Sequence, residues 1–95
     1  MKIIALSVPG PTPDLTKMNE LAVEEIRNAW DLLKADVVRE VYLRKDQPGV
    51  VGVLEASTVE EAETALSQLP FYRHGLIRFE LIPVGPFTNF ERLFS

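Results

Sequence analysis

The chain has 95 residues, a formal net charge of −4 and one histidine. A single domain of this size buries roughly two thirds or less of the surface that its unfolded chain exposes, so oligomerisation would add to its stability. The absence of cysteine excludes disulfide bonds, thiolate metal sites and cysteine nucleophiles, and is compatible with a reducing cytoplasm.

Charge and composition also restrict the partners. The net charge repels phosphate backbones and no element has a cluster of Lys and Arg, so a nucleic-acid partner is not expected. One histidine cannot form a multi-histidine metal site within one subunit, and we expect no metal. The N-terminal apolar run is too short for a membrane span and lacks the pattern of a signal peptide. We therefore expect a soluble, unprocessed, cytoplasmic protein without a membrane partner.

The first half of the chain predicts a strand followed by a helix. Residues 2–8 are a short apolar run rich in β-formers, which Pro and Gly at 9–11 end. Thr12 is the predicted N-cap of the helix, with Pro13 at its first position. Trp30 widens the apolar stripe and is predicted to lie in the core. The stripe itself recurs at helical spacing and consists of Leu15, Met18, Ala22, Ile26, Ala29 and Leu33.

The second half predicts a hairpin, a helix and a last strand. Residues 37–45 and 50–57 flank a turn-forming cluster at 46–49, and we place Arg44 opposite Val50. Residues 57–60 form a capping box that begins the second helix, and Pro70 ends it. The last strand is predicted at 74–84, followed by the tail at 85–95.

The element order β-α-β-β-α-β predicts an α+β, ferredoxin-like sandwich, with both helices on one face of an antiparallel sheet. Strand alternation assigns one face to Ile3, Ala5, Ser7, Val41, Leu43, Val51, Val53, Ile77, Phe79 and Leu81. The other face receives Ile4, Leu6, Val8, Val38, Glu40, Tyr42, Gly52, Leu54, Ala56, Leu76, Arg78, Glu80 and Ile82. Both faces are largely apolar, so we expect the second face to be covered by another subunit, in a homodimer or higher homo-oligomer.

Two segments resemble the muconolactone isomerase family of the dimeric α/β-barrel superfamily. They are LSQLPFY, at the end of the second helix, and FELIPV at 79–84. The resemblance extends from Asp14 to Pro83, while Glu40 stands where the family has a histidine and the aromatic tail replaces a basic one. Matched positions are Arg39, Tyr42, Glu55, Leu69, Pro70, Glu80 and Pro83.

The resemblance implies one dimeric α/β-barrel domain over residues 1–95 and a reaction without cofactor or metal. The family moves a proton in a small unsaturated lactone, so the implied function is a cofactor-free isomerase acting on a small unsaturated carboxylated compound. The alternative is a non-catalytic protein on the same barrel, which binds a small ligand or serves as an oligomeric accessory.

Glu80 is the catalytic candidate. An enclosed apolar space would remove water from its carboxylate and allow it to exchange a proton near neutral pH. Arg78, on the same side of the strand, would bind a substrate carboxylate. The structural alternative is an ion pair between these two side chains or with a partner subunit. Tyr42 and Glu40 are either walls of the pocket or rim residues.

Three further features are the lone histidine, an Arg–Glu pair and the apolar residues of the tail. His74 is a candidate for substrate binding, because histidine is the residue type whose ordinary pKa lies near physiological pH, but its turn-like surroundings are more typical of a surface histidine. Arg39 and Glu55 are expected to pair across strands on the helix side. The apolar residues of the tail are predicted to pack on a neighbouring subunit or to cap the mouth of the barrel: Phe87, Phe90, Leu93 and Phe94.

Overall fold

A computed structural model describes residues 1–94 of the chain. The predicted order of strands and helices is present, with one additional short helix before the last strand. The elements are β1 (Lys2–Pro9), α1 (Leu15–Lys34), β2 (Val38–Leu43), β3 (Val50–Glu55), α2 (Val59–Leu66), α3 (Pro70–Arg73), β4 (Ile77–Val84) and a 3-10 helix (Thr88–Leu93).

The four strands form one antiparallel sheet in the order β2-β3-β1-β4. The helices pack on one side of this sheet, which confirms the predicted α+β sandwich. We call the uncovered side of the sheet the open face, and the other the helix side. No helix within residues 1–94 is long and apolar enough to cross a membrane.

The first helix begins later than predicted. Asp14, not Thr12, is the N-cap of α1, and its side chain accepts a hydrogen bond from the Lys17 amide at 3.1 Å. The Thr12 hydroxyl instead donates to the carbonyl oxygens of His74 and Gly75, each at 3.2 Å. Thr12 therefore fastens the loop before β4, while a carboxylate stabilises the positive end of the helix.

The region after the second helix is also more structured than predicted. Thr58 caps α2 by accepting a hydrogen bond from the Glu61 amide at 3.1 Å, as the capping-box pattern indicates. Pro70 does not simply end this helix, because it occupies the first turn of α3, where its missing N–H costs nothing. His74 is the C-cap of α3, so β4 begins only at Ile77.

The register of the β2–β3 hairpin differs from the prediction by one residue. Leu43 pairs with Val50, the position predicted for Arg44. The Arg44 amide instead donates to the Gly49 carbonyl at 2.9 Å. Gly49 has a φ of 142°, a left-handed conformation that glycine adopts without steric cost, and this conformation allows the shorter turn.

The shifted register exchanges the two faces of β3. Val51 and Val53 lie on the open face, because they pair with Leu6 and Ile4 of β1. A register irregularity between Val38 and Glu40 also turns the start of β2 toward the helices. The structure buries five residues that alternation had assigned to the open face: Val38, Gly52, Leu54, Ala56 and Leu76.

The predicted pairing of Arg39 with Glu55 is wrong. The Arg39 Nε donates to the Asp36 carbonyl at 2.8 Å, within the turn before β2. The Glu55 carboxylate lies 3.2 Å from the N-terminal amine of Met1. Because Glu55 pairs with Lys2 in the sheet, it lies on the open face rather than the helix side.

The core lies between the sheet and the helices. Its most buried members come from three elements and a loop: Ile3, Ala5, Leu54, Ala62, Leu66 and Leu69. Trp30 does not belong to it, since 57% of its surface is exposed, and the prediction of a core tryptophan is wrong. The side of α1 that includes Trp30 faces away from the sheet.

Candidate functional site

A row of four paired residues crosses the middle of the open face. Leu6 of β1 pairs with Val51 on one side and with Glu80 on the other, and Tyr42 pairs with Val51. Residues paired in this way present their side chains on the same face of a sheet. Tyr42 and Glu80 therefore lie on the two edge strands, roughly 14 Å apart at the usual strand spacing, with apolar side chains between them.

Arg78 and Glu80 share the open face of β4, as predicted from strand alternation. Arg78 pairs with Val8 of β1, one row away from Glu80. Both side chains are exposed, and neither forms an ion pair within the described part of the chain. The carboxylate and the guanidinium are therefore close in the sheet but do not form an ion pair with each other.

Arg44 is a second cation near Glu80, and the sequence did not single it out. Its guanidinium makes two hydrogen bonds to the Asp46 carboxylate, at 3.0 and 2.7 Å. These bonds, and to a smaller extent the charge of Glu80, raise the pKa of Arg44, against a smaller opposing effect of its burial. Because Asp46 offsets the charge of Arg44, Arg78 is the nearby cation without an ion pair in the described chain.

Tyr42 and Glu40 form a polar pair at the opposite edge of the open face. The Tyr42 hydroxyl donates a short hydrogen bond to Glu40 Oε1. This bond and the nearby negative charge raise the pKa of the Tyr42 phenol. Both residues are exposed, so in this subunit they form a rim beside the apolar middle of the sheet.

His74 is not brought together with the other candidates. It caps the end of α3 and is exposed, and its carbonyl is held by Thr12. Its imidazole makes no hydrogen bond or ion pair within residues 1–94. The sequence placed this residue near the substrate because of its titration range alone, and its position in the fold gives that prediction no support.

A cleft of about 770 Å³ lies on the other side of the sheet, between the sheet and α1. Its walls come from α1, β1, β2, β3, the start of β4 and the segment around α3. Nearly all of the lining is aliphatic or aromatic. The polar side chains that contribute from the helix side are Ser7 and Glu25.

Ser7 is the one buried polar residue in the described chain, with 6% of its surface exposed. Its hydroxyl accepts a hydrogen bond from the Val50 amide at 2.8 Å. The β1–β3 ladder ends one pair earlier, at Leu6, so the side chain replaces the next backbone partner. A Cβ at Gly49 would lie 2.9 Å from this hydroxyl, so the local packing also requires glycine there.

Glu25 is the only carboxylate that lines the cleft. Its Oε1 accepts a hydrogen bond from the Phe71 amide at 2.9 Å, at the start of α3. Burial raises the pKa of Glu25, while the Phe71 bond and the charge of Arg73 oppose that shift. The sequence contained a signal for this position, because Ala22, Glu25, Ala29 and Leu32 recur at spacings of three and four.

Residues 1–94 contain no cluster of three or more His, Cys, Asp or Glu side chains that could hold a metal ion. The arrangement offers two single carboxylates: Glu80 beside Arg78 on the open face, and Glu25 in the apolar cleft.

Comparison with known proteins identifies the fold. No protein-family model matches the chain, and no curated protein matches its sequence. Solved structures do match it. They include 5-chloro-2-hydroxyhydroquinone dehydrochlorinase from Burkholderia phenoliruptrix AC1100 in complex with 2,5-dihydroxybenzoquinone. That match has a TM-score of 0.70 and 16% sequence identity, and covers 94% of this chain and 98% of the other.

Muconolactone isomerase is a second structural match. Its TM-score is also 0.70, with 19% identity and 90% of each chain covered. The chain therefore shares the fold of muconolactone isomerase, as the sequence resemblance implied. At these identities the likeness shows the fold, and the activity has to be argued from the side chains.

Proposed function

We propose that the protein is a cofactor-free, isomerase-like enzyme that moves a proton within a small, unsaturated, carboxylated ring compound. The observation that carries the proposal is the position of Glu80 and Arg78. The two side chains share the open face of β4, have no ion pair within residues 1–94, and border the apolar residues Leu6 and Val8. A base and an anion-binding cation are thus both available to a ligand.

The proposal requires a second subunit over the open face. Its middle consists of the aliphatic side chains Ile4, Leu6, Val8, Val51, Val53 and Ile82. A contiguous apolar surface of this kind on a small chain is typical of an interface. A second sheet packed against it in a homodimer would enclose Glu80 and Arg78 in a chamber with little water, where a single charged group acts more strongly.

Within that chamber the reaction needs one group that exchanges a proton. The Glu80 carboxylate would take a proton from a ring carbon next to a double bond. The released electron pair would shift the double bond, and the same carboxyl group would return the proton to the far carbon. Glu80 ends in its starting state, so neither an oxidant nor a cofactor is consumed. Arg78 would hold the substrate carboxylate with two parallel hydrogen bonds.

The structural neighbours support a small, oxygenated, unsaturated ring as the substrate, and the carboxylate is inferred from Arg78 alone. Muconolactone is a small unsaturated lactone, and the dehydrochlorinase was solved with 2,5-dihydroxybenzoquinone. Both compounds are small oxygenated rings with conjugated or isolated double bonds. We extend to this chain only that chemical class.

Deuterium exchange tests the proposal. Purified protein is incubated with muconolactone in deuterated water, and label at the ring carbons is followed by NMR. We expect exchange by the natural chain, its loss in Glu80→Gln, and its retention in the matched control Glu55→Gln, which alters another open-face carboxylate. Arg78→Lys should raise KM more than it lowers kcat, since lysine keeps the charge but loses the paired geometry. No exchange by the natural chain would end the isomerase proposal.

The cleft favours a second candidate function, the binding of a small apolar ligand without catalysis. Its lining is almost entirely apolar, and its volume lies in the range of small-molecule sites. In this reading Glu25 is structural, because its oxygen is occupied by the Phe71 amide. Calorimetric titration with 2,5-dihydroxybenzoquinone and with toluene would measure binding. Ala29→Phe or Ala22→Leu, which fill the cleft, should abolish it, and Glu80→Gln should leave it unchanged.

A further inference from the structure

The outer side of α1 presents an apolar row that is largely exposed in the described chain, with Ile26 at its border beside the cleft. It consists of Val23, Ile26 and Trp30, which are exposed by 68%, 68% and 57%. Their spacing of three and four residues places them on one stripe of the helix. We call this set the α1 outer row. Exposed large apolar side chains in a continuous row indicate an interaction surface.

The C-terminal tail presents a second such row. Phe87, Phe90, Leu93 and Phe94 are each more than 60% exposed, and we call them the tail row. The 3-10 helix fixes the spacing of Phe90 and Leu93, and Phe87 and Phe94 are its two cap residues. The rings of Phe87 and Phe90 also meet edge to face, with their centroids 4.9 Å apart. A preformed row loses less conformational entropy when it binds.

The tail extends away from the body of its own chain. The molecule measures 57 × 28 × 20 Å, with a radius of gyration of 15.2 Å. A compact domain of this length would have a radius of gyration of roughly 12 Å. The tail therefore extends the molecule and leaves its aromatic side chains in water.

We infer that the tail row of one copy docks on the α1 outer row of a second copy of this chain. The tail leaves the sheet from β4 at one edge, whereas α1 contacts β2 at the opposite edge. The helix α2 contacts β4, and α3 contacts both β4 and α1. A tail would have to cross these helices to reach its own α1, but a tail from a neighbouring copy approaches from outside without this obstacle.

The two rows are similar in length and have opposite charges beside them. The seven steps from Val23 to Trp30 rise about 10 Å along α1, and the six steps from Phe87 to Leu93 rise about 12 Å at the 3-10 spacing. Arg27 borders the α1 outer row and Glu91 lies within the tail, and neither forms an ion pair among the residues that the structure describes. Opposite charges beside the two rows favour one orientation of docking.

The size of the contact is sufficient for a stable assembly. With ~200 Å² for a phenylalanine, the exposed part of the tail aromatics amounts to roughly 400 Å². In a twofold dimer each tail docks on the other subunit, so the contact is made twice. When the covered helix surface is included, the two reciprocal tail contacts together would bury roughly 1,600 Å², the size of a standard specific interface. This contact is separate from the sheet-to-sheet contact proposed above.

Trp30 provides a direct test, because it is the only tryptophan in the chain. We expect its fluorescence maximum in the natural protein to be blue-shifted relative to N-acetyltryptophanamide. The full-length double variant Phe90→Ala with Phe94→Ala should shift the maximum to the red. The control Thr88→Ala with Asn89→Ala changes polar tail positions and should leave it unmoved.

Mixing two variants tests whether Trp30 is covered by the tail of a neighbouring copy or by the tail of its own chain. Full-length Trp30→Phe has an intact tail and no tryptophan signal. When it is mixed in excess with the Phe90→Ala, Phe94→Ala protein and allowed to exchange subunits, the blue shift should return. The inference is overturned if the natural protein emits like free tryptophan at 50 µM, if the tail variant does not move the maximum, or if mixing fails to restore it.

Discussion

Replacing Leu6 by glutamate tests whether the open face is an interface. Leu6 occupies the middle of this face, between Val51 and Glu80. In an isolated subunit the new carboxylate would reach water, because Leu6 is only partly buried. The subunit should therefore fold. In a sheet-to-sheet dimer the same carboxylate would be enclosed among aliphatic side chains and would lie next to the negative charge of Glu80.

The expected effect on assembly is large. Enclosing a polar group without a partner costs about 2–3 kcal/mol by mutational measurements, and an ionised group costs more. A twofold interface contains the change twice, so the dimer should lose at least about 4 kcal/mol. This corresponds to an increase in the dimer dissociation constant of roughly 1,000-fold.

Sedimentation equilibrium between about 1 and 100 µM would measure the change, because typical homodimers dissociate within or below this range. We expect the natural chain to be dimeric and Leu6→Glu to be monomeric with an unchanged circular dichroism spectrum. Leu43→Glu is the matched control, since Leu43 is an exposed strand residue on the helix side of the same sheet. The reasoning fails if the natural chain is monomeric, or if both variants have the same effect.

Two further predictions concern the polar residues of the cleft. Ser7→Ala leaves the Val50 amide without its partner and should lower the free energy of unfolding by about 1–3 kcal/mol in a urea titration; an effect no larger than that of the exposed Ser57→Ala would contradict it. Burial raises the pKa of Glu25 in the folded state above its value in the unfolded chain. The protonated carboxyl group therefore contributes its full stability below a pH of about 4.3, and this contribution is lost as the pH rises through the folded-state pKa. Glu25→Gln should therefore raise the melting temperature at pH 7 and leave it unchanged at pH 4; melting curves in which Glu24→Gln behaves identically would refute this.

The sequence predicted the layers of the fold because hydrophobic periodicity is a local property. The stripe of the first helix, the capping box at the second and the alternation of β1 each depend on residues within one element. The face assignment of β3 failed because it depended on the turn. One residue of difference in the hairpin register moves every side chain of a strand to the other face. That difference arises from the pairing of Arg44 with Gly49, which spacing alone does not determine.

The site residues show the same division between local and long-range information. The common face of Arg78 and Glu80 follows from alternation within one strand, and was predicted. The positions of Glu25 and Arg44 depend on contacts with Phe71 and Asp46, through hydrogen bonds whose geometry is set by turns and helix packing. Trp30 was misassigned because an apolar residue at helical spacing is predicted to face the nearest core, whereas this one is exposed to water.

The two candidate functions use opposite faces of one sheet, and this makes them separable. Glu80 lies on the open face and Glu25 lines the cleft on the helix side. Packed layers are about 10 Å apart, so a small ring compound in either place cannot touch the carboxylate in the other. Ala29→Phe should therefore remove ligand from the cleft without affecting deuterium exchange, if the exchange occurs at Glu80. Loss of exchange in Ala29→Phe, with exchange retained in Glu80→Gln, would instead move the chemistry to the cleft and make Glu25 its proton-transfer group.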